Sequence, residues 1–307
     1  MINISHKTDT LRRAKATGKL LLDADTVQLI RDKKVKKGDI REIINIAGIR
    51  GAKETPDWVL FAHPIPIDGV DIKTEILDDG LIVTAEVETV WKTGVEVEAV
   101  TAVTSALLNA LDVLKPHTDD MTMTDIRVVR KKGGKNDFRE QFDPPLNAAV
   151  LVISDSTYEG DRKDKSGKII SGLLEKYEIE IDTYDVLPDD KDMIHDNVRQ
   201  LIEREVNLII TTGGTGFGPK DMTPEAVRSL IEKPAEGIAE QMRSYGSERT
   251  PYAMLSREVA GISNNSLIIT MPGSSNGARE SMQALFPGVL HIFRMMWGGG
   301  HAPPENQ

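Results

Sequence analysis

Asn207-Leu208-Ile209-Ile210-Thr211-Thr212-Gly213-Gly214-Thr215-Gly216 is a buried-type strand that runs straight into a glycine-rich turn, and the residues around it repeat the pattern. Upstream, Ala148 to Ile153 reads as a strand, Lys168 to Tyr177 as a helix and Ile179 to Val186 as a strand. Met193, Ile194, Val198, Leu201 and Ile202 then mark a second helix. Downstream, Thr223 to Ile231 and Ile238 to Tyr245 read as helices and Ser266 to Met271 as a further strand. This alternation predicts an α/β domain with a mainly parallel sheet, helices on both faces, and its ligand site at the carboxyl ends of the strands. Those ends carry Ser154-Asp155-Ser156, Leu187-Pro188-Asp189-Asp190, the glycine turn followed by Asp221-Met222-Thr223-Pro224-Glu225, and Pro272-Gly273-Ser274. Thr223 suits an N-cap and Pro224 the first helical position, so Asp221 falls just ahead of a helix start. Taken singly, each feature has a plain structural reading: glycines reverse a chain, Asp221 partners a cap, Asp189 sits in a turn. Four polar strand ends on one edge favour a phosphate or nucleotide pocket, with glycines letting backbone N–H groups approach the anion. Two aspartates there could hold Mg²⁺ against a triphosphate. No Gly-x-x-x-x-Gly-Lys-Ser/Thr string is present, so the pocket is not of the P-loop kind.

Asp143-Pro144-Pro145 separates this half from the first, because two prolines neither continue a helix nor donate to a sheet ladder. The expected domains are residues 1–143 and 144–307, which suits a length of about two ordinary domains. Residues 1–140 carry 22 basic and 23 acidic side chains, whereas residues 141–307 carry 16 and 25, so the net −10 divides into −1 and −9. That balance argues against general nucleic-acid binding. Zero cysteines exclude thiolate–zinc sites, iron–sulfur clusters and thiol nucleophiles. No run of 18 apolar residues and no signal-peptide pattern occurs, so a cytoplasmic protein without membrane contact is expected.

The first half reads as α+β. Asp39 to Ala52 and Val95 to Leu114 have helical apolar spacing, and Val70 to Ile76 with Leu81 to Val90 form a hairpin around Asp78-Asp79-Gly80. Met121 to Val129 is a further strand, with Met121, Met123, Asp125 and Arg127 on one face and Ile126 and Val128 on the other. Helices on one face of an antiparallel sheet, in a ferredoxin-like arrangement, are expected. Two basic clusters, Arg31 to Lys37 and Arg127 to Lys135, are either solvated runs or an anion site. His63, between Phe61-Ala62 and Pro64, has as its default a bond to a backbone carbonyl. Glu96 and Glu98 open the long helix and either complement its dipole or do chemistry. Asp112 and Lys115, three apart, share a helix face as a surface ion pair or as an acid–base unit.

In its strand-end motifs, together with Asp164-Lys165-Ser166-Gly167 and Leu255-Ser256-Arg257, the second half resembles the molybdopterin adenylyltransferase family of MogA/MoaB type. The resemblance implies adenylylation of molybdopterin by Mg-ATP with release of pyrophosphate. It makes Asp189 and Asp221 the functional pair and the Mg²⁺ ligands, and gives Ser154, Gly213, Gly214, Thr215, Gly216, Pro272, Gly273 and Ser274 to substrate binding.

Residues 2–137 look like the cyclic pyranopterin monophosphate synthase family of MoaC type. The likeness rests on Lys37-Gly38-Asp39, Ala47-Gly48-Ile49, Ala62-His63-Pro64, Lys92-Thr93-Gly94-Val95-Glu96-Val97-Glu98, Asp112-Val113-Leu114-Lys115 and Gly133-Gly134-Lys135. It implies conversion of a cyclised dihydroguanosine triphosphate to cyclic pyranopterin monophosphate and pyrophosphate by acid–base chemistry, without a cofactor. Asp112 and Lys115 match the catalytic pair, with Lys37, His63, Glu96 and Glu98 as further active-site groups. Arg12, Lys53 and Lys135 suit the triphosphate, and Phe61, Ala62 and Val97 fall at contacting positions. Ala62 stands where the family usually has cysteine, Val97 where it has methionine, and Lys132 and Asn136 where it has serines. The two resemblances together imply a homo-oligomer, a hexamer satisfying both symmetries. Two other readings are a second domain that only carries molybdopterin and a first domain that only oligomerises.

Overall fold

The computed structural model describes residues 1–299. It divides into two units, Met1–Asp137 and Phe138 onward. The division falls a few residues ahead of the diproline because Glu140 and Phe142 are already anchored in the second unit. Glu140 pairs with His291 at 2.8 Å and Arg294 at 2.6 Å, and Phe142 packs edge-on against Phe293 and Trp297.

The first unit runs β1 (Thr10–Leu21), α1 (Ala24–Arg31), α2 (Ile40–Lys53), a short α3 (Thr55–Trp58), β2 (Gly69–Leu77), β3 (Gly80–Trp91), α4 (Glu96–Leu114) and β4 (Thr122–Lys132). Its antiparallel sheet has the order β2-β3-β1-β4, the ferredoxin-like arrangement, with α2 and α4 packed against it. The central strand β1 has no signal of its own in apolar periodicity. Its buried positions are Ala14, Ala16, Gly18 and Leu20, the first three small, alternating with Lys15, Thr17 and Lys19. They are small because α4 presses on them: a Cβ on Gly18 would lie 2.7 Å from Val103 and 2.8 Å from Leu107. The strict alternation expected along β4 is also corrected. Two residues of β4, Asp125 and Ile126, oppose the single Gly18 of β1 between the pairs Thr17–Arg127 and Lys19–Thr124, and Asp125 takes φ +56°. This bulge turns Ile126 to the same core as Met123.

α2 and α4 are antiparallel. Ser105 Oγ donates to Ala47 O at 2.9 Å, and a Cβ on Gly51 would lie 2.5 Å from that of Ser105. Lys37, just before α2, therefore reaches the end of α4, while Lys53 at the far end of α2 lies toward the start of α4.

The second unit runs β5 (Asn147–Ile153), α5 (Asp155–Tyr158), α6 (Ser166–Leu174), β6 (Glu180–Leu187), α7 (Lys191–Glu203), β7 (Leu208–Thr212), α8 (Thr223–Arg228), β8 (Lys233–Pro234), α9 (Glu236–Ser247), β9 (Ala260–Ser263), β10 (Ser266–Met271), α10 (Ser275–Leu285) and α11 (His291–Met296). The sheet order is β6-β5-β7-β10-β9-β8, parallel from β6 to β10 and antiparallel beyond. β5 shows why helices cover both faces. Ala148 and Val150 pack with α6, α9 and α10, while Ala149, Leu151 and Ile153 pack with α7 and α8. The connection from β5 goes to β6 on one side and the chain then returns to β7 on the other, so the switch-point crevice opens between the ends of β5 and β7.

Candidate active sites

In the first unit the expected residues form two groups at opposite ends of α4. At its C-terminal end Asp112 lies between two ammonium groups, with Lys115 Nζ 2.6 Å from Oδ1 and Lys37 Nζ 2.9 Å from Oδ2. Lys37 also donates to the Asp112 carbonyl at 2.9 Å. A carboxylate in the last turn of a helix faces the negative end of the dipole. The two cations offset that, and their hydrogen bonds, Lys115 before Lys37, hold the Asp112 carboxyl down at about 2. Asp112 side-chain exposure of 55% leaves the group open to a substrate.

The depressed value has a pH consequence. The stability Asp112 contributes is complete above its ordinary 3.8 and is lost as pH falls toward about 2. An NMR titration should put its carboxyl midpoint near 2, and nearer the ordinary value once Lys37 and Lys115 are both methionine.

At the N-terminal end of α4, Arg12 donates to Trp91 O at 3.2 Å and Lys92 O at 3.4 Å. Partial burial lowers its pKa, against the charges of Glu96 and Asp137. Lys131 lies 3.4 Å from Glu96, and Arg12 Nη1 packs on Gly134, next to Lys135. Glu98 is buried, and desolvation first, then the neighbouring Glu96, pushes its pKa up. Burial thus shifts the Glu98 carboxyl up while the two ammonium groups shift Asp112 down, so the two ends of α4 hold their carboxyls in opposite electrostatic settings. His63 Nε2 bonds to Ile2 O at 2.9 Å, the default role for such a histidine, and no bond joins it to either group. Phe61 and Val97 are exposed and Ala62 is half-buried.

In the second unit the four strand ends meet on one edge. Asp155 N donates to Asp189 Oδ2 and Asp189 N to Asp155 Oδ1, each at 3.0 Å, which ties the ends of β5 and β6 together. Thr212 Oγ1 donates to Pro272 O at 2.8 Å and Gly213 N to Met271 O at 3.0 Å, tying β7 to β10. Gly213, at φ +113°, leaves no room for a Cβ, which would lie 2.1 Å from Ile153 O. Gly214, at φ +61°, faces Thr223 Oγ1 and Asp189 Oδ1. Asp221 Oδ2 accepts from Gly218 N at 2.7 Å and lies beside Gly216. Among the described residues no hydrogen bond engages Asp189 Oδ1 or Asp221 Oδ1. Burial first, then the charges of Asp155 and Asp221, raises the Asp189 pKa.

Several expected roles change. Ser154 caps α5 by accepting from Thr157 N and shares a 3.3 Å hydrogen bond with Ser156 Oγ, and Ser274 caps α10 by accepting from Gly277 N, so each hydroxyl is in part engaged locally. Thr215 is buried and its Oγ1 lies 3.4 Å from Ser256 Oγ. Thr223 does not cap α8: Met222 holds that position, and Thr223 Oγ1 is fully buried without a partner among the described residues. Three residues outside the expected set organise the site. Asp155 forms the bond to β6. Lys220 pairs with Asp155. Arg257 donates to Gly216 O, Asp221 O and Glu225, while its own N–H bonds to Thr215 O. Asp155 and Arg257 fall within motifs quoted from the sequence without a role of their own, whereas Lys220 offered no signal, since a lysine in a loop reads as ordinary surface charge.

The geometry defines a chain of two working parts, a carboxylate–ammonium cluster on a ferredoxin-like unit and a phosphate-type edge on a parallel-sheet unit. Residues 1–134 match the MoaC family, and residues 149–291 match the probable molybdopterin binding domain. The chain is 34% identical over 302 residues to the molybdenum cofactor biosynthesis bifunctional protein of Chlorobaculum tepidum, covering 98% of this chain and 96% of that one. It is 37% identical over 210 residues to the cyclic pyranopterin monophosphate synthase of Aquifex aeolicus, covering 67% of this chain and 78% of that one. The crystal structure of the molybdopterin biosynthesis enzyme MoaB from Thermus thermophilus is 40% identical, with a TM-score of 0.48, covering 50% of this chain and 97% of that one. The chain belongs to the bifunctional molybdenum cofactor biosynthesis family, a MoaC domain fused to a MogA/MoaB-type domain.

Proposed function

We propose that the first unit converts 3′,8-cyclo-7,8-dihydroguanosine 5′-triphosphate to cyclic pyranopterin monophosphate and pyrophosphate, and that the second adenylylates molybdopterin with Mg-ATP. The observation that carries the first assignment is an exposed carboxylate kept ionised between Lys37 and Lys115 where the helix dipole opposes it. Lys115 and Lys37 are proton donors to the substrate, Asp112 orients both, and Glu98 is a further active-site carboxyl beside Glu96. Arg12, Lys53 and Lys135 meet the triphosphate, for which several cations within reach are needed.

Glu96 and Asp112 are sixteen residues apart on one helix, about 24 Å at a rise of ~1.5 Å per residue. One chain therefore does not bring its own two groups to one substrate. An antiparallel second copy, seated on the exposed apolar residues Ile46, Trp58, Val97 and Leu108, sets one chain's Asp112 end beside the other's Glu96 end. We take the working form to be a hexamer built from such dimers. Asp112→Ala and Glu96→Ala variants, each inactive alone, should then recover about a quarter of wild-type turnover when refolded together, as random pairing in a two-fold dimer requires. No recovery would refute the shared site.

In the second unit Asp189 Oδ1 and Asp221 Oδ1 are carboxylate oxygens with no hydrogen bond among the described residues. Among those residues no group of three or more His, Cys, Asp or Glu forms a metal cluster. Two carboxylate oxygens fit Mg²⁺ better than a closed protein cage, since that ion keeps waters and substrate phosphates among its ligands. Bound there, it would offset phosphate charge as adenylyl passes to molybdopterin. The Gly214 turn and the unpartnered Thr223 hydroxyl support the phosphates, and Arg257 keeps the loop in place. Mass spectrometry after separate incubations with the cyclised GTP intermediate and with molybdopterin plus Mg-ATP tests both assignments. Product in each is expected, and a missing product overturns the assignment of that unit.

A further inference from the structure

We propose that Lys220 is the mobile phosphate-binding cation of the second unit: its ammonium rests on Asp155 and passes to a nucleotide phosphate when the ligand enters. The inference rests on the adenylylation reading above and adds a residue and a motion to it.

The charge problem at this edge motivates it. Asp155, Asp189 and Asp221 converge at the crevice, Glu159 is near enough to act on Lys220, and the surrounding half of the chain is net −9. A polyphosphate entering such a site meets carboxylates first and needs protein cations as well as a metal ion. Two cations are tied into the hydrogen-bond network of the edge. Arg257 is committed: its guanidinium serves Gly216 O, Asp221 O and Glu225, and its side chain is 25% exposed. Lys220 is the opposite case. Its side chain is 75% exposed, and among the described residues its ammonium holds one hydrogen-bond partner, Asp155 Oδ2. An exposed ion pair of this kind is weak, so exchanging the carboxylate for a phosphate costs little.

Position decides where that ammonium goes. Lys220 immediately precedes Asp221 on the loop after β7, and its partner Asp155 lies two residues past the end of β5, at the start of α5. The side chain therefore crosses the switch-point crevice, where a ligand in a parallel sheet of this topology binds. At the same crevice Asp189, bonded to Asp155, faces Gly214, and the Thr223 hydroxyl packs on that glycine, fully buried and without a partner among the described residues. A phosphate over Gly214 would reach Lys220 with the loop that Arg257 holds in place, and would take a bond from Thr223 once that hydroxyl turns out from under the glycine. Asp155 keeps its structural role throughout, because its other oxygen, Oδ1, is the one that accepts from Asp189 N.

The two partners of the exchange should act on ligand affinity with opposite sign. Calorimetric titration of Mg·ATP into the full-length protein is expected to show Lys220→Gln binding about tenfold more weakly than wild type, and Lys220→Arg within threefold of it. Asp155→Asn retains an acceptor for Asp189 N but frees the ammonium, so it should bind Mg·ATP severalfold more tightly. The gain should vanish in Asp155→Asn/Lys220→Gln, which should match Lys220→Gln alone. Wild-type affinity in Lys220→Gln, weaker binding by Asp155→Asn, or a gain that survives in the double variant would each overturn the exchange while leaving the adenylylation reading standing. Failure of the wild-type protein to bind Mg·ATP would overturn both.

Discussion

Asp112→Ala is expected to lower formation of cyclic pyranopterin monophosphate by about 10²- to 10⁴-fold, the range for loss of positioned acid–base chemistry. The expectation follows from what the carboxylate holds. With Asp112 gone, Lys37 and Lys115 lose their common partner, and two like charges at the end of α4 separate. The fold should survive, because Asp112 is exposed and belongs to none of the buried core. Circular dichroism and thermal unfolding should therefore be close to wild type while turnover collapses. Asp112→Asn keeps the size but not the charge and should be nearly as inactive. Normal turnover in either variant would remove Asp112 from the chemistry and return the cluster to a surface ion pair. Adenylyl transfer by the same variants should be unchanged, which provides an internal control for folding of the whole chain.

Asp221→Asn should reduce adenylyl transfer by about 10²- to 10³-fold, as removal of one preorganised electrostatic group does elsewhere. Asparagine is the sharper test than alanine. Asp221 Oδ2 accepts from Gly218 N, so alanine would also loosen the loop, whereas asparagine keeps an acceptor there. Arg257 still holds the backbone through the Asp221 carbonyl, which the substitution leaves in place. Molybdopterin binding, followed by fluorescence quenching, should change little, because the cradle of Gly213, Gly214 and Gly216 is untouched. Loss of binding in parallel with loss of transfer would make Asp221 a loop residue rather than a charge acting on phosphate.

How far these sites were legible in the sequence differs between the units for physical reasons. β5, β7 and β10 are buried on both faces, so each carries consecutive apolar residues where a half-exposed strand would alternate, and each ends in its own polar motif. That made the α/β unit and its edge readable. β1 was not, because its burial is set by α4 and not by its own side chains: Ala14, Ala16 and Gly18 are small so that Val103 and Leu107 fit. β9 and β8 were missed for lack of length, with four residues and two. The bulge at Asp125 could not be read either, because a register shift depends on the partner strand. Thr223 carried a good capping signal, but the tertiary contact with Gly214 buried its hydroxyl and left the cap to Met222.

By itself the sequence determined that there are two units, which strand ends carry polar chemistry, and that Asp112 and Lys115 share a face. These follow from local chemistry: proline, glycine and apolar spacing act within a few residues. Tertiary structure alone decided that Lys37 completes the Asp112 cluster from 75 residues away and that Arg12 stands with Glu96 at the other end of α4. It alone decided that Lys220 faces Asp155 across 65 residues. Such pairings rest on which elements the sheet order and helix packing bring side by side, and no local spacing encodes that.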